Sequence, residues 1–122
     1  MNSKTIYLVV LSLAIFAVAA MACGGSGGTY KIGLLSPQTG PIAVYAPGFE
    51  VAANVAIAEL NDNEEGNVFE LVVIDSGCDG TQAATAAQTL VDSGVVGIVG
   101  AACSGATLGA IAVASEAGIP MV

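Results

Sequence analysis

Residues 68–99 read VFELVVIDSGCDGTQAATAAQTLVDSGVVGIV, and the order of patterns within them decides the fold. Val68–Ile74 is a short apolar run rich in β-branched residues, which fits a strand buried on both faces. Asp75–Gly80 (DSGCDG) is its exit loop. From Thr81 to Ser93 the period becomes that of a helix, through Ala84, Ala87, Leu90 and Val91, and Gly94 is placed to close it. Val95–Val99 (VVGIV) is again a strand. Strand, helix and strand in so few residues make one crossover unit of a parallel sheet.

The same alternation extends both ways. Upstream, Lys31–Leu35 (KIGLL) is a strand that Ser36-Pro37 ends, and residues 38–47 form a loop with two prolines. From Gly48 a helix follows, with Phe49, Ala52, Ala53, Ala56, Ile57 and Leu60 on one stripe, and 61–67 is a polar turn. Downstream, Gly100–Gly105 is a loop of small residues, a helix runs from about Ala106 to Ala117, and Ile119–Val122 begins a fourth strand. The order βαβαβαβ predicts an α/β fold, a doubly wound parallel sheet with strand order 2-1-3-4. Such units usually continue, and Val122 lies inside an apolar run, so a truncated lobe is expected.

At 122 residues the chain holds one domain at most. Its basic residues are Lys4 and Lys31, and all ten acidic residues lie from Glu50 onward. A body with one lysine against ten carboxylates offers no footprint for a phosphate backbone, so nucleic acid is not an expected partner. The sequence has no histidine, which removes Ser-His-Asp and Cys-His catalysis and His-ligated metals. No cofactor is expected.

Residues 1–22 read as a signal peptide: Lys4, an apolar run from Tyr7 to Ala22 that is short for a bilayer span, then small residues. Ala20-Met21-Ala22-Cys23 resembles the bacterial lipobox, with alanine where leucine is commonest, and makes Cys23 the lipidated residue of the mature chain. Ordinary secretion after Ala22 is the alternative. Residues 23–29 then form a Gly/Ser tether between anchor and body, and 30–122 the folded lobe.

In an open α/β sheet the ligand crevice lies beyond the carboxyl ends of the strands, where strand order reverses. Here that is between the loops 36–47 and 100–105. Ser104 sits at or near the N-cap of the following helix, where free N–H groups and the helix dipole favour a carboxylate. A serine that only caps its own helix is the plainer alternative. Gly100, Ala101, Ala102 and Gly105 leave room for a ligand to approach the backbone. Tyr45, in the opposite loop, offers an aromatic wall or simply packs on its own loop. Cys78 and Cys103 lie in exit loops at one end of the sheet. In an exported protein such a pair reads as a disulfide, two free buried thiols being the alternative.

These residues carry a family resemblance. Residues 31–45 (KIGLLSPQTGPIAVY), 75–79 (DSGCD), 97–104 (GIVGAACS) and 116–122 (EAGIPMV) resemble, in order and spacing, the branched-chain amino-acid binding proteins of ABC transporters. The resemblance implies the first part of lobe 1 of a two-lobe periplasmic-binding fold that closes on a small ligand and hands it to permease subunits. It implies that Ser104 binds the amino-acid carboxylate, that Tyr45 and Ala102 line the side-chain pocket, and that Cys78 and Cys103 are bridged. Ala101 and Gly105 depart from the bulkier or polar residues common in that loop, which leaves the ligand among amino acids, amides and other small acids.

The expected function is therefore an extracytoplasmic solute-binding lipoprotein, anchored to the bacterial membrane through Cys23. A sensor lobe coupled to signalling is one alternative. An enzyme on a flavodoxin-like sheet is another, but no GxGxxG follows the first strand and no nucleophile–base pair is visible. Asp75 and Asp79 as metal ligands compete with their ordinary roles in turns and caps.

Overall fold

The computed structural model describes residues 27–64 and 66–122. Three strands, β1 (Thr29–Ser36), β2 (Val68–Asp75) and β3 (Val95–Val99), alternate with three helices, α1 (Ala46–Asn63), α2 (Gly80–Asp92) and α3 (Ser104–Glu116). The sheet is parallel, in the order β2-β1-β3. β1 and β2 pair over their whole length, from Thr29 opposite Val68 to Ser36 opposite Asp75, so their exit loops leave at one level. The expected fourth strand is a single parallel bridge, Ile98 to Met121. Around it the Ile98 amide donates to the Pro120 carbonyl (2.9 Å) and the Gly100 amide to that of Val122 (2.8 Å).

Side chains alternate across β1. Ile32 and Leu34 face α1, whereas Gly33 and Leu35 face α2. The two faces are unequal. On one, α2 and α3 pack side by side through alanines: Ala83, Ala87, Ala106, Ala110 and Ala114 are all fully buried, around Leu35, Leu90 and Ile98. A Cβ on Gly109 would collide with the Gly80 carbonyl, so glycine is required where the two helices touch. Gly33 plays the same part under Leu90, whose Cδ1 would lie 2.8 Å from an added Cβ.

The buried stripe of α2 is Ala83, Ala86, Ala87 and Leu90, in place of the expected Ala84, Ala87, Leu90 and Val91. Ala84 and Val91 are half-buried. Alanines flank both sides of the true stripe, so hydrophobicity alone could not fix its phase; close contact with α3 does.

On the other face α1 lies alone. It starts at Ala46, two residues before Gly48, because Pro47 fits the first turn, where an amide is not needed. It also runs to Asn63, into the stretch read as a polar turn. Asn61 clasps the free edge of β2: its side-chain oxygen accepts from the Phe69 amide (2.7 Å) and its nitrogen donates to the Phe69 carbonyl (3.0 Å). That pairing continues the ladder at an otherwise bare edge. The six-residue stripe of α1 lines two connected apolar grooves beside the sheet, but it stays open: Phe49, Ala52, Ala56 and Leu60 are exposed, and Ala46 is the buried residue of this helix. Among the described residues no helix is long and apolar enough to cross a membrane. The signal segment, the lipidation residue Cys23 and most of the Gly/Ser tether fall on 1–26, outside the described residues.

Candidate functional site

Three loops meet at the carboxyl ends of the strands, and the roots of two of them are fixed by buried serines. Ser36 and Ser76, both fully buried, end neighbouring strands. The Ser76 amide donates to the Ser36 carbonyl (2.8 Å), and the Ser36 hydroxyl donates to a Glu50 carboxylate oxygen (2.9 Å) on α1. Gln38 donates to the same oxygen (2.9 Å), which fastens the start of the β1 exit loop to α1.

The next fixed point is Asp75. One carboxylate oxygen accepts the Thr39 amide (3.1 Å) and the Gly77 amide (2.8 Å). The other accepts the Thr39 hydroxyl and the Gln82 side-chain nitrogen (3.0 Å). Burial pulls this carboxyl toward the neutral form, but the donated bonds outweigh it and hold its pKa below the ordinary carboxylate value. Asp79 caps α2, accepting from the amides of Thr81 and Gln82, both at 2.9 Å. Both aspartates are thus engaged with donors of their own chain. Among the described residues no group of three or more His, Cys, Asp or Glu is placed to hold a metal.

Cys78 and Cys103 are joined by a disulfide, with 5.3 Å between their Cα atoms. The bridge ties the β2 exit loop to the β3 exit loop just ahead of Ser104. Gly100, with φ of +109°, lays that second loop against the end of β1; an added Cβ there would sit 2.8 Å from the Leu35 carbonyl oxygen.

Ser104 is the first residue of α3 and is exposed, and the cap position belongs to Cys103. Ser104 thus lies near the cap, one residue inside it, and the plainer alternative, that it caps its own helix, does not hold: the bridged Cys103 has the extended backbone of a cap (φ −107°, ψ 131°). No side chain caps this terminus, in contrast to Asp79 at α2. The first-turn amides of a helix have no partner within it; those of the exposed Ser104 and Gly105 lie at the loop end, whereas Ala106 is fully buried. Thr107 completes the arrangement, and sequence reading missed it. Its single hydroxyl proton is shared between the carbonyls of Ala101 (2.9 Å) and Cys103 (3.2 Å), which fastens the loop to the first turn of the helix. A threonine in the first turn, four residues after a loop carbonyl, was the available signal.

Tyr45 closes a 3-10 turn (Ala43–Tyr45) immediately before α1, and the residue is 61% exposed. Ala102 stands at the upper end of a groove of about 300 Å³, opposite Phe49, Ala52 and Ala53. This groove and a second of about 250 Å³ share Leu34, Ala53 and Val99, forming one trench down the α1 face of the sheet. Its walls are hydrocarbon without a converging polar group, which suits packing better than recognition of a charged solute. The chemistry available at the loop end is different: exposed amides at the positive end of a helix, behind small residues, with an aromatic ring on the neighbouring loop.

The sequence profile of periplasmic binding proteins matches residues 29–122, the whole of the described sheet and its helices. The chain belongs to the periplasmic binding protein family. Among its relatives in that family, the leucine-, isoleucine-, valine-, threonine- and alanine-binding protein of Pseudomonas aeruginosa is 35% identical over 112 residues, covering 85% of this chain. The branched-chain amino acid transporter substrate-binding protein of Streptococcus pneumoniae, solved with isoleucine, superposes with a TM-score of 0.70 at 35% identity over 76% of the chain. An ABC-transporter solute-binding protein from Rhodopseudomonas palustris, solved with 3,4-dihydroxybenzoic acid, gives 0.68 at 29% identity, again over 76%. This periplasmic binding protein chain spans 30%, 28% and 26% of those three proteins, respectively.

Proposed function

We propose that the chain forms part of an extracytoplasmic solute-binding protein that captures small carboxylates, branched-chain amino acids foremost, for an ABC transporter. The observation that carries this reading is the uncapped N-terminus of α3, presented behind Gly100–Cys103 and held there by the disulfide. An anion gains from the dipole and from unpartnered amides at such a place. Ser104 adds a hydroxyl, Ala102 leaves space for an apolar side chain, and Tyr45 supplies a wall. The names of the relatives support a binding protein over a catalyst, and their ligands, isoleucine and 3,4-dihydroxybenzoic acid, share a carboxylate.

The test is a ligand-observed NMR titration of the chain with isoleucine, leucine, 3,4-dihydroxybenzoate and leucinamide. Saturation transfer to the three carboxylates and not to leucinamide is the expected result. Equal transfer to leucinamide contradicts a carboxylate site.

We also assign residues 1–22 to a lipoprotein signal and Cys23 to the lipid anchor, leaving the folded lobe on the outer side of the membrane. Mass spectrometry of the mature N-terminus decides it: a diacylglyceryl cysteine at position 23 supports the anchor, and an unmodified Cys23 removes it. A sensor role shares the same binding lobe. It gains favour only if ligand uptake proves independent of any permease.

A further inference from the structure

Asp75 does more than turn the chain. Its two oxygens gather donors from three places: Thr39 on the β1 exit loop, Gly77 on its own loop, and Gln82 on α2. Thr39 contributes both its amide and its hydroxyl, so the β1 loop is gripped at two atoms. The loops also touch directly. An added Cβ on Gly40 would collide with the Gly77 carbonyl and lie 3.5 Å from the Cys78 Cβ. One residue further, Cys78 enters the bridge to Cys103, and Ser104 follows. A single short loop, 75–78, is therefore fastened to the segment leading to Tyr45 on one side and to the start of α3 on the other.

We infer that Asp75 is a positioning residue for the ligand site: its carboxylate clamps the Tyr45-bearing loop at Thr39 to the same loop that the disulfide locks to Ser104. This rests on the proposed binding site. Asp75 itself is not assigned any contact with the solute. With the clamp closed, the 3-10 turn that ends in Tyr45, which holds itself by the Tyr45 amide donating to Ile42 (3.0 Å), sits at a fixed offset from the β2 loop. Without the clamp that turn keeps its tie through Gln38 to Glu50 and its continuity with α1 at the buried Ala46, but it loses the grip of the β2 loop at Thr39, and the wall it supplies becomes movable relative to that loop.

The experiment combines amide hydrogen exchange with isoleucine titration on the 122-residue chain, using Asp75→Asn, Tyr45→Ala and the double variant, with Thr39→Val as a milder cut that removes one bond. Asp75→Asn is expected to speed exchange at Ala43 and Tyr45 by about tenfold or more, leaving the strand amides of Leu34 and Ile74 unchanged. It is expected to weaken isoleucine binding several-fold with Tyr45 present and to do nothing further in Tyr45→Ala, since a residue acting through another shows non-additivity. Thr39→Val should move both readouts in the same direction by less, and it decides the matter if Asp75→Asn does not fold. Unchanged exchange at 43–45, or an equal loss of affinity with and without Tyr45, overturns the clamp. If Tyr45→Ala binds isoleucine as well as the parent chain, Tyr45 as a ligand wall fails and the positioning role with it. The exchange data then separately show whether Asp75 still orders the loop.

Discussion

Cys78 and Cys103 lie 25 residues apart in sequence and cross-link the exit loops of β2 and β3 with 5.3 Å between their Cα atoms. Of the two, Cys78 stands in the left-handed region with φ of +58°, next to Gly77 at the same angle. The tight turn they make brings the sulfur across the end of β1 to its partner.

Closing a loop of this length lowers the entropy of the unfolded chain, by about 3.5 kcal/mol in the chain-entropy treatment. The double variant Cys78→Ser, Cys103→Ser is therefore expected to lose roughly 2–4 kcal/mol of unfolding free energy. Urea unfolding of oxidised and reduced chain measures the same quantity. A difference under about 0.5 kcal/mol would mean that the bridge does not constrain the unfolded state in this way.

Two glycines in helices should respond in opposite directions to alanine. Gly109 touches the Gly80 backbone, so Gly109→Ala forces α2 and α3 apart and is expected to cost about 1–3 kcal/mol. An added Cβ at Gly48, in α1, meets nothing within 4 Å, and Gly48→Ala is expected to gain up to about 1 kcal/mol from helix propensity. Thermal denaturation of both variants checks the pair; a Gly109→Ala chain as stable as the parent would refute the close helix contact.

Asp75 sets a pH dependence whose sign follows from its hydrogen bonds. Its folded pKa is depressed below the ordinary value of 3.8, so the unfolded state binds the proton more readily. The contribution is fully present above the unfolded value and is lost as pH falls below about 4 through the folded pKa. Urea midpoints between pH 7 and pH 3 should fall at the acid end, and Asp75→Asn should flatten that fall. An acid limb equally steep in Asp75→Asn would place its origin in other carboxylates.

Much of this was readable in the sequence because strands in a parallel sheet are apolar nearly throughout. Val68–Ile74 and Val95–Val99 were delimited to within one residue, and the stripe from Phe49 to Leu60 named the face of α1 that lines the grooves beside the sheet. The cysteine pair was legible from loop position together with the expected export. What failed were choices among similar residues. In α2 the alanines left the buried face undetermined, and close helix packing chose Ala83 and Ala86. At α3 the plainer alternative for Ser104, the helix cap, gave way to the bridged Cys103 one residue earlier. The role of Asp75 was hidden because its main partner, Thr39, lies 36 residues earlier in the chain. Only the matched register of β1 and β2 brings the two together.

The decisive measurement is a map of backbone amide shifts in the isotopically labelled chain as isoleucine is added. A ligand held by one set of exit loops should perturb the amides of the exposed Ser104 and Gly105 first, with a dissociation constant of roughly a millimolar or weaker. Leucinamide should leave those two amides in place. Shifts confined to the trench at Phe49, Ala53 and Val99, with Ser104 and Gly105 unmoved, would contradict a carboxylate site at the start of α3.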